Sequence, residues 1–158
     1  MDYKKKLKDL DIEDALKYTE GIINTVHDPL IILHEDFKVA LANQSFYHAF
    51  QVKPGETEEQ FIYDLGNHQW NIPKLRYLLE EILPKTTSFD NFEIEHDFPH
   101  IGKRIMLLNA CRIYLKVNRT KLIIITIKDI TERKKIEELN KKVRDLEARL
   151  KRNSSEPH

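Results

Sequence analysis

The pattern of hydrophobic and polar positions divides the chain into a leading helix, a central region of short elements, longer strands and a final helix. Residues 3–26 place their apolar side chains near one broad face, as in an amphipathic helix. Pro29 ends this helix, because the residue before a proline is disfavoured in the helical conformation. Residues 1–26 are therefore predicted to form an N-terminal amphipathic helix.

Residues 27–129 have the pattern of one compact domain. Two short strands are predicted first, over 30–33 and 38–42. Three short helices follow, predicted over 44–50, 57–66 and 72–83. Three further strands are predicted over 92–98, 104–115 and 122–127. Strands at both ends with helices grouped between them predict an α+β domain, in which an antiparallel sheet carries the helices on one face.

The final helix, predicted over 130–152, has the spacing of a coiled coil. Its apolar residues recur at intervals of three, four, three and four, namely Ile136, Leu139, Val143, Leu146 and Leu150. This pattern predicts a parallel two-stranded coiled coil, and hence a homodimer to which the N-terminal helix also contributes. Residues 153–158 offer no apolar side chain for packing and are expected to be a disordered tail.

The last strand meets this helix without a flexible linker. The strand is an almost unbroken β-branched run, typical of a strand covered on both faces. Asp129 is placed to cap the first helical turn while Glu132 reaches back to it, as in a capping box. Arg133 is the expected ion-pair partner of Asp129. Because strain in the sheet would reach the helix pair directly, residues 129–133, with Thr131 among them, are predicted to form a signal junction.

Composition excludes several other classes of function. The chain has 158 residues, 41% of them hydrophobic, and its 26 basic and 26 acidic residues balance. A neutral chain gives no electrostatic reason to expect binding to nucleic acid or to an anionic membrane surface. One cysteine excludes an intramolecular disulfide and suits a reducing cytosol. With no apolar run long enough to span a bilayer and no signal-peptide pattern, we expect a cytoplasmic location without direct membrane contact.

Three motifs, in this order, resemble those of PAS domains: DPLIIL at 28–33, LANQSF at 41–46 and DITER at 129–133. The segments between them are similar to a PAS subgroup found in sensor histidine kinases and chemotaxis methyltransferase fusions, and the resemblance covers about residues 18–133. It implies a five-stranded sheet of order 2-1-5-4-3 with a small pocket between the sheet and the helices. It also implies a regulatory role, with any catalytic output domain outside this chain.

The pocket that the resemblance implies has several candidate lining residues. Apolar and aromatic side chains with a few polar groups are usual in such sites, and the candidates are Asn43, Tyr47, Tyr63, Trp70, Leu75, Leu79, Asn109 and Cys111. Asn43 is also placed to cap a helix, which leaves it only the pocket rim. Asn109 lies on an otherwise apolar strand face, where it either contacts a ligand or bonds neighbouring backbone or the 67–71 loop.

Flavin, haem and metal ions are not expected in this pocket. Photoactive flavin-binding PAS domains carry a Gly-Arg-Asn-Cys-Arg-Phe motif on a helix, whereas Cys111 here follows an alanine on a predicted strand and is interpreted as a small buried apolar residue. A haem would need a histidine on the helix 72–83, which has none, and the seven histidines show no metal-ligand spacing. The expectation is therefore a pocket without a resident cofactor that could accept a small ligand of another kind.

Two hypotheses follow. In the first, the chain is a sensory PAS module of a signal-transduction protein, of the two-component, histidine kinase type, that dimerises and relays its state through the final helix. In the second, it is a constitutive dimerisation or partner-docking domain without a ligand. The sequence contains no nucleophile elbow, phosphate loop, kinase signature or histidine phosphoacceptor motif, so we do not expect an enzyme in this chain.

Overall fold

The computed structural model describes residues 12–116 and 120–155, with side chains from Thr19 onwards except those of Leu115 and Thr120. The part of the predicted N-terminal helix before residue 12, and residues 156–158 of the predicted tail, lie outside the described residues. Within them, five antiparallel strands form one sheet of order β2-β1-β5-β4-β3. The strands are β1 (Leu30–His34), β2 (Val39–Ala42), β3 (Ser88–Phe98), β4 (Gly102–Leu115) and β5 (Thr120–Asp129). The predicted α+β class and strand order are confirmed.

The β-branched run lies in the centre of the sheet, on β5, which pairs with β1 on one side and β4 on the other. Ile123, Ile125 and Ile127 point into the main core. Leu122 and Ile124 point to the opposite face. Apolar side chains on both faces explain why this strand shows no polar alternation.

In the described part of the chain, six helical segments and three short turns of 3₁₀ or π type accompany the sheet. The helical segments are α1 (Ile12–Thr25), α2 (Gln44–Phe50), α3 (Pro54–Thr57), α4 (Leu65–His68), α5 (Pro73–Tyr77) and α6 (Thr131–Ser155). The other turns are the 3₁₀ turns Ile62–Asp64 and Leu83–Lys85 and the π-helical turn Leu78–Ile82. Ile23 of α1 packs with Leu30 and Ile32 on the outer sheet face, and α2, α4 and α5 contribute side chains to the core on the inner face.

The prediction of a helix over residues 57–66 is wrong. Thr57 is buried at the end of α3, where its hydroxyl donates to the Lys53 carbonyl at 2.8 Å. Glu59 has a positive φ of 64°, and Gly66, Asn67 and His68 have φ values of 56°, 61° and 67°, so α4 is a left-handed turn and not a regular α-helix. A right-handed helix cannot pass through left-handed residues, so this segment breaks into short turns.

The helix predicted over 72–83 exists but changes its hydrogen-bonding pattern. After α5 the backbone widens into the π-helical turn, in which the Leu83 N–H donates to the Leu78 carbonyl. Pro84 has no N–H to continue an α-helical ladder, and the chain closes with a 3₁₀ turn. Leu75, Leu79 and Leu83 stay buried through all three forms of helix, because each faces the sheet.

The final helix is longer than the sequence pattern predicted. α6 continues to Ser155, so the prediction of disorder is wrong for residues 153–155. The hydroxyls of Ser154 and Ser155 donate to the carbonyls of Lys151 and Arg152. Extending an existing helix fixes one residue per added hydrogen bond, and this does not require apolar packing.

Candidate functional site

Trp70, predicted to line a pocket, lies at the centre of a group of four aromatic side chains. We call Phe46, Phe50, Trp70 and Phe98 the aromatic cluster. The Trp70 ring centroid lies 5.7 Å from that of Phe46, 4.7 Å from that of Phe50 and 5.3 Å from that of Phe98. Trp70 is only 1% exposed. Aromatic contacts of this geometry fill the space between the helices and the sheet at this end of the core.

Tyr47, Tyr63 and Leu75, which were also predicted to line the pocket, are buried in the same core as the aromatic cluster. Burial raises the pKa of the Tyr47 phenol, and the Glu58 carboxylate adds to this effect. Burial likewise raises the pKa of Tyr63, with a further contribution from Glu80. Both phenols therefore stay protonated at neutral pH and can act as hydrogen-bond donors.

Four polar atoms in this region are buried without a hydrogen-bond partner among the described residues: the hydroxyls of Tyr47 and Tyr63, Trp70 Nε1 and Gln69 Nε2. The sequence analysis did not single out Gln69, which is 6% exposed. Its side chain occupies the space that a β-carbon on Gly66 would take, with Nε2 only 1.7 Å from that position. The glycine before a tryptophan-containing loop is the sequence signal that could have pointed to it.

Asn43 does not lie at a pocket rim, and that prediction is wrong, although its role as the N-cap of α2 is confirmed. The side chain is fully buried, and its Oδ1 accepts from the backbone N–H groups of Leu30 at 2.9 Å and Phe46 at 3.0 Å. Its Nδ2 donates to the carbonyls of Ile23, Val26 and Asp28 at 3.0 to 3.3 Å. With its donors and acceptor occupied by backbone, Asn43 joins the end of α1 to β1 and α2.

Asn109 and Cys111 lie on the outer face of β4, so their assignment to the pocket is wrong. Ala110, between them, points into the core with Met106 and Leu108. Side chains alternate between the two faces along a strand. An error of one residue in choosing the core-facing positions therefore exchanges the core-facing and outward-facing side chains. Asn109 Oδ1 accepts from the Asn91 N–H at 2.8 Å, where the pairing of β3 and β4 is irregular. Of the two alternatives left open by the sequence, a ligand contact or a bond to neighbouring backbone, Asn109 makes the bond to backbone.

Leu79 lines a cavity of about 510 Å³ at the far end of the sheet from α6, which we call the distal cavity. Its apolar walls include Phe37, Leu83 and Ile123, and Arg112 and Lys121 add positive charge. Lys121 pairs with Glu35 at 3.4 Å on the same wall. The volume lies within the usual range for small-molecule sites. Of the residues predicted to line a pocket, Leu79 alone is among its walls.

A second cavity, of about 240 Å³, lies beside the start of α6, and we call it the junction cavity. Apolar walls come from α2, β4, β5 and the segment before β1, and the polar residues in its wall are Arg104 and Asp129. The sequence analysis did not single out Arg104, because it lies on a different strand from the junction motif.

The signal junction is built around Asp129, but not as a capping box. Asp129 Oδ1 accepts from the Thr131 N–H at 2.9 Å and from the Thr131 hydroxyl. Glu132 pairs with Lys135 and Arg133 with Glu137, so the predicted roles of Glu132 and Arg133 are wrong. Both side chains are exposed on α6 and pair along the helix surface, where neighbours are three or four residues apart. Asp129 still belongs to β5, so the spacing of four residues between Asp129 and Arg133 does not make them neighbours on a helix.

Arg104 takes the place predicted for Arg133. Its Nη1 donates to Asp129 Oδ2 at 3.2 Å. The Ile105 N–H also donates to the Thr131 hydroxyl at 3.0 Å, and the Ile130 N–H donates to the Ile105 carbonyl at 2.9 Å. The first turn of α6 is thus attached to the start of β4 as well as to the end of β5.

The apolar positions of α6 face away from the rest of the described chain. Ile136, Leu139, Val143, Leu146 and Leu150 are 52 to 67% exposed. We call these five residues the apolar stripe. Soluble surfaces rarely leave such a row uncovered along a helix.

Two further properties of the described residues bear on function. No helix among residues 12–116 and 120–155 is long and apolar enough to cross a membrane. In the same part of the chain, no three histidine, cysteine, aspartate or glutamate side chains are grouped as a metal site.

Comparisons with known proteins agree on the fold. The family model described as PAS fold matches residues 17–130. The PAS domain of Bordetella pertussis BvgS superposes with a TM-score of 0.57 at 18% identity, over 85% of this chain and 99% of that one. A PAS domain from a two-component sensor histidine kinase gives 0.58 at 11% identity, over 75% and 99%. The PAS domain of nitrogen regulation protein NR(II) from Vibrio parahaemolyticus gives 0.57 at 16% identity, over 71% and 97%.

No curated protein matches the sequence of this chain. The solved structures share too little sequence identity to indicate more than the fold. The family match covers most of the chain, from within α1 to the residue before α6, and it includes Asn43, the residues that line both cavities, and Asp129. The chain therefore belongs to the PAS family.

Proposed function

We propose that this PAS domain is the sensory module of a larger signalling protein, that it forms a parallel homodimer through α6, and that it relays its state to an output domain outside this chain. The observation that carries the proposal is the continuous path from β5 into a helix with an uncovered apolar stripe. Pairing two such stripes would remove five large side chains from water in each protomer. The likeness to a PAS domain of a two-component sensor histidine kinase makes a kinase-type output our preferred expectation.

The relay would act through the attachment of α6 to the sheet. Thr131 is 6% exposed and bonds both to Asp129 and to the Ile105 N–H, so a shift of β4 relative to β5 would alter the first helical turn. A parallel coiled coil responds to such a change at its start because both helices begin at the same end. The chain itself would have no catalytic function in this scheme.

The proposed dimer is tested by placing charged side chains in the apolar stripe. Leu139→Lys with Leu146→Lys should convert a dimer into a monomer, since it places two charges per helix in the packed seam. Light scattering at tens of micromolar protein measures the mass. A matched control, Asp145→Asn with Ala148→Lys, adds the same net charge on the same helix outside the stripe and should remain dimeric. A wild-type protein that is monomeric at this concentration contradicts the proposal.

The relay is tested at Asp129. Asp129→Ala should lower the free energy of unfolding by about 0.5–2 kcal/mol, the usual cost of losing a helix cap. The exposed pair with Arg104 should add at most about 1 kcal/mol. Amide hydrogen exchange should increase selectively in the first turn of α6, and a fused reporter kinase should lose its dependence on signal. Asp129→Asn keeps the capping oxygen and serves as the control.

If Asp129→Ala lowers stability while the reporter responds as before, Asp129 is a structural cap and the relay runs elsewhere. The reporter fusion and the unfolding experiment therefore give separate answers about one substitution.

The second candidate function is a dimerisation or docking domain without a ligand. The aromatic cluster favours it, because Trp70 and its three neighbours fill the region that a ligand was predicted to enter. The distal cavity favours a sensory role, since its volume and mixed apolar and charged walls suit a small molecule. Native mass spectrometry and an absorption spectrum of freshly purified protein distinguish them. We expect no flavin or haem absorption bands, and a bound small molecule would exclude the ligand-free alternative.

A further inference from the structure

The junction cavity combines apolar walls with one charged pair that belongs to the signal junction. Phe50, Met106 and Ile127 line it from three different elements, and its polar wall consists of Arg104 and Asp129. Its volume of about 240 Å³ is below the usual range for drug-sized ligands, so only a compact molecule would fit. Such walls favour a ligand with a small apolar body and one charged end.

Arg104 determines the sign of that charge. Its Nε donates to the Ile101 carbonyl at 3.1 Å, and its Nη1 donates to Asp129 Oδ2 at 3.2 Å. A guanidinium has five N–H donors, so these two contacts leave donors for another acceptor. Carboxylates are the organic groups that match this planar fork with two parallel hydrogen bonds.

We propose that the junction cavity is a binding site for a compact organic monocarboxylate, whose carboxylate binds Arg104 in competition with Asp129. The regulatory part of this inference rests on the proposed function of the chain as a relay.

Competition follows from the geometry of the pair. Asp129 holds Arg104 through a single hydrogen bond, from Nη1 to Oδ2, and both side chains are partly exposed. A ligand carboxylate that binds both terminal nitrogens would need Nη1, and two carboxylates beside one guanidinium repel each other. The other oxygen of Asp129 accepts from Thr131 at the start of α6. Releasing Asp129 from Arg104 would therefore loosen the attachment of the helix cap to β4.

The first experiment uses benzoate as the probe and benzamide as its uncharged counterpart of the same shape. Titration up to about 20 mM, followed by ¹H–¹⁵N and methyl spectra of the whole chain, should shift the signals of Met106, Ile127 and the Thr131 amide. We expect an affinity of roughly millimolar, as suits a small body with one charged contact. Benzamide should bind about tenfold more weakly or worse, because it lacks the charge-assisted hydrogen bonds.

Substitutions of the two partners should change the affinity in opposite directions. Arg104→Gln should weaken benzoate binding about tenfold or more, because the cation is lost. Asp129→Asn should strengthen it several-fold, because the competing negative charge is removed while the amide oxygen can still cap the helix. A residue pair with only a structural role would weaken binding in both variants. Arg144→Gln, the same change at an exposed position on α6 that lines neither cavity, is the matched control and should leave benzoate affinity unchanged.

Ala49→Leu tests the position of the site without touching the charged pair. Ala49 is an exposed residue of α2 that lines the cavity, so a larger apolar side chain there should block entry and leave the fold intact. Thermal unfolding of this variant checks that the fold is kept, and Ile101→Trp at another wall position provides a second block.

Binding that is selective for benzoate, lost in Ala49→Leu and strengthened in Asp129→Asn supports the site. Its regulatory effect requires benzoate to speed amide exchange in the first turn of α6 at least twofold. Absence of binding, equal binding of benzamide, or binding that survives both blocking variants overturns the site. Binding without any change in exchange overturns the coupling. Light scattering on the apolar-stripe variant tests the dimer separately, so failure of the carboxylate site and failure of the proposed function can be told apart.

Discussion

Asn43→Ala is expected to lower the free energy of unfolding by about 3–5 kcal/mol, more than most single substitutions. The alanine would remove five hydrogen bonds to backbone groups, and it would leave the Leu30 N–H and the Asp28 carbonyl without this partner. The Phe46 N–H, the Ile23 carbonyl and the Val26 carbonyl would each keep one other partner. Each buried polar group left unsatisfied costs about 1–3 kcal/mol, although water can reach some of those near the surface.

Urea unfolding followed by circular dichroism measures this loss. Asn109→Ala is the matched control, because Asn109 is exposed and bonds one backbone N–H; it should cost about 1 kcal/mol or less. Equal effects of the two substitutions would contradict the central role assigned to Asn43.

Asn43→Asp tests the hydrogen bonds that the Asn43 side chain accepts separately from those that it donates. The carboxylate can still accept from Leu30 and Phe46, but its second oxygen would face carbonyls in place of Nδ2. Burial among carbonyls should raise the pKa of the introduced carboxyl in the folded state above its unfolded value of about 3.9. The stability deficit relative to the wild-type protein should therefore be large at neutral pH and shrink as pH falls towards about 4.

Trp70→Ala is the second substitution with a large expected effect, a loss of about 3–5 kcal/mol. Trp70 contacts three aromatic rings and is almost fully buried, so truncation would leave a cavity bounded by rigid side chains. Trp70→Phe should cost less than about 2 kcal/mol, because it keeps a ring in the cluster and removes the indole N–H that has no partner among the described residues.

The measurement is again urea unfolding followed by circular dichroism, since the substitution removes the only tryptophan. Tyr77→Ala, at an aromatic residue 57% exposed, is the control and should change stability by no more than about 0.5 kcal/mol. The sequence analysis predicted that Trp70 lines a pocket. If Trp70→Ala is as stable as the wild-type protein, that prediction holds and the packed-core interpretation of Trp70 is wrong.

The strand order was predicted from the family resemblance, whereas the features predicted correctly from the residue pattern alone depend on residues close together in the chain. The cap of α2 by Asn43 needs only the residue before a short amphipathic segment, and it was found from that pattern. The predicted helix over 57–66 failed on equally local grounds, because positive φ values at Glu59 and Asn67 are not marked by glycine or proline. Gly66, which is marked, was interpreted as a helix end rather than as space for the Gln69 side chain.

The face of β4 could not be assigned from its own residues. Ile105, Leu107 and Ile113 are apolar, and so are Met106 and Leu108, so the strand has no polar side that identifies the solvent face. Only pairing with β5 and β3 decides that Ala110 points inward and Asn109 outward. The predicted pocket placed Asn109 and Cys111 on the wrong side for this reason.

The amino-acid sequence by itself determined the class of the domain, the central position of the β-branched strand and the apolar spacing of α6. These properties are periodic or local, and each is specified by which residues follow one another. The tertiary structure alone decided that Arg104 replaces Arg133 beside Asp129, that Asn43 binds the end of α1, and that cavities lie at the two ends of the sheet. Those contacts join residues from different strands and helices, and their geometry exists only once the strands have paired in one register.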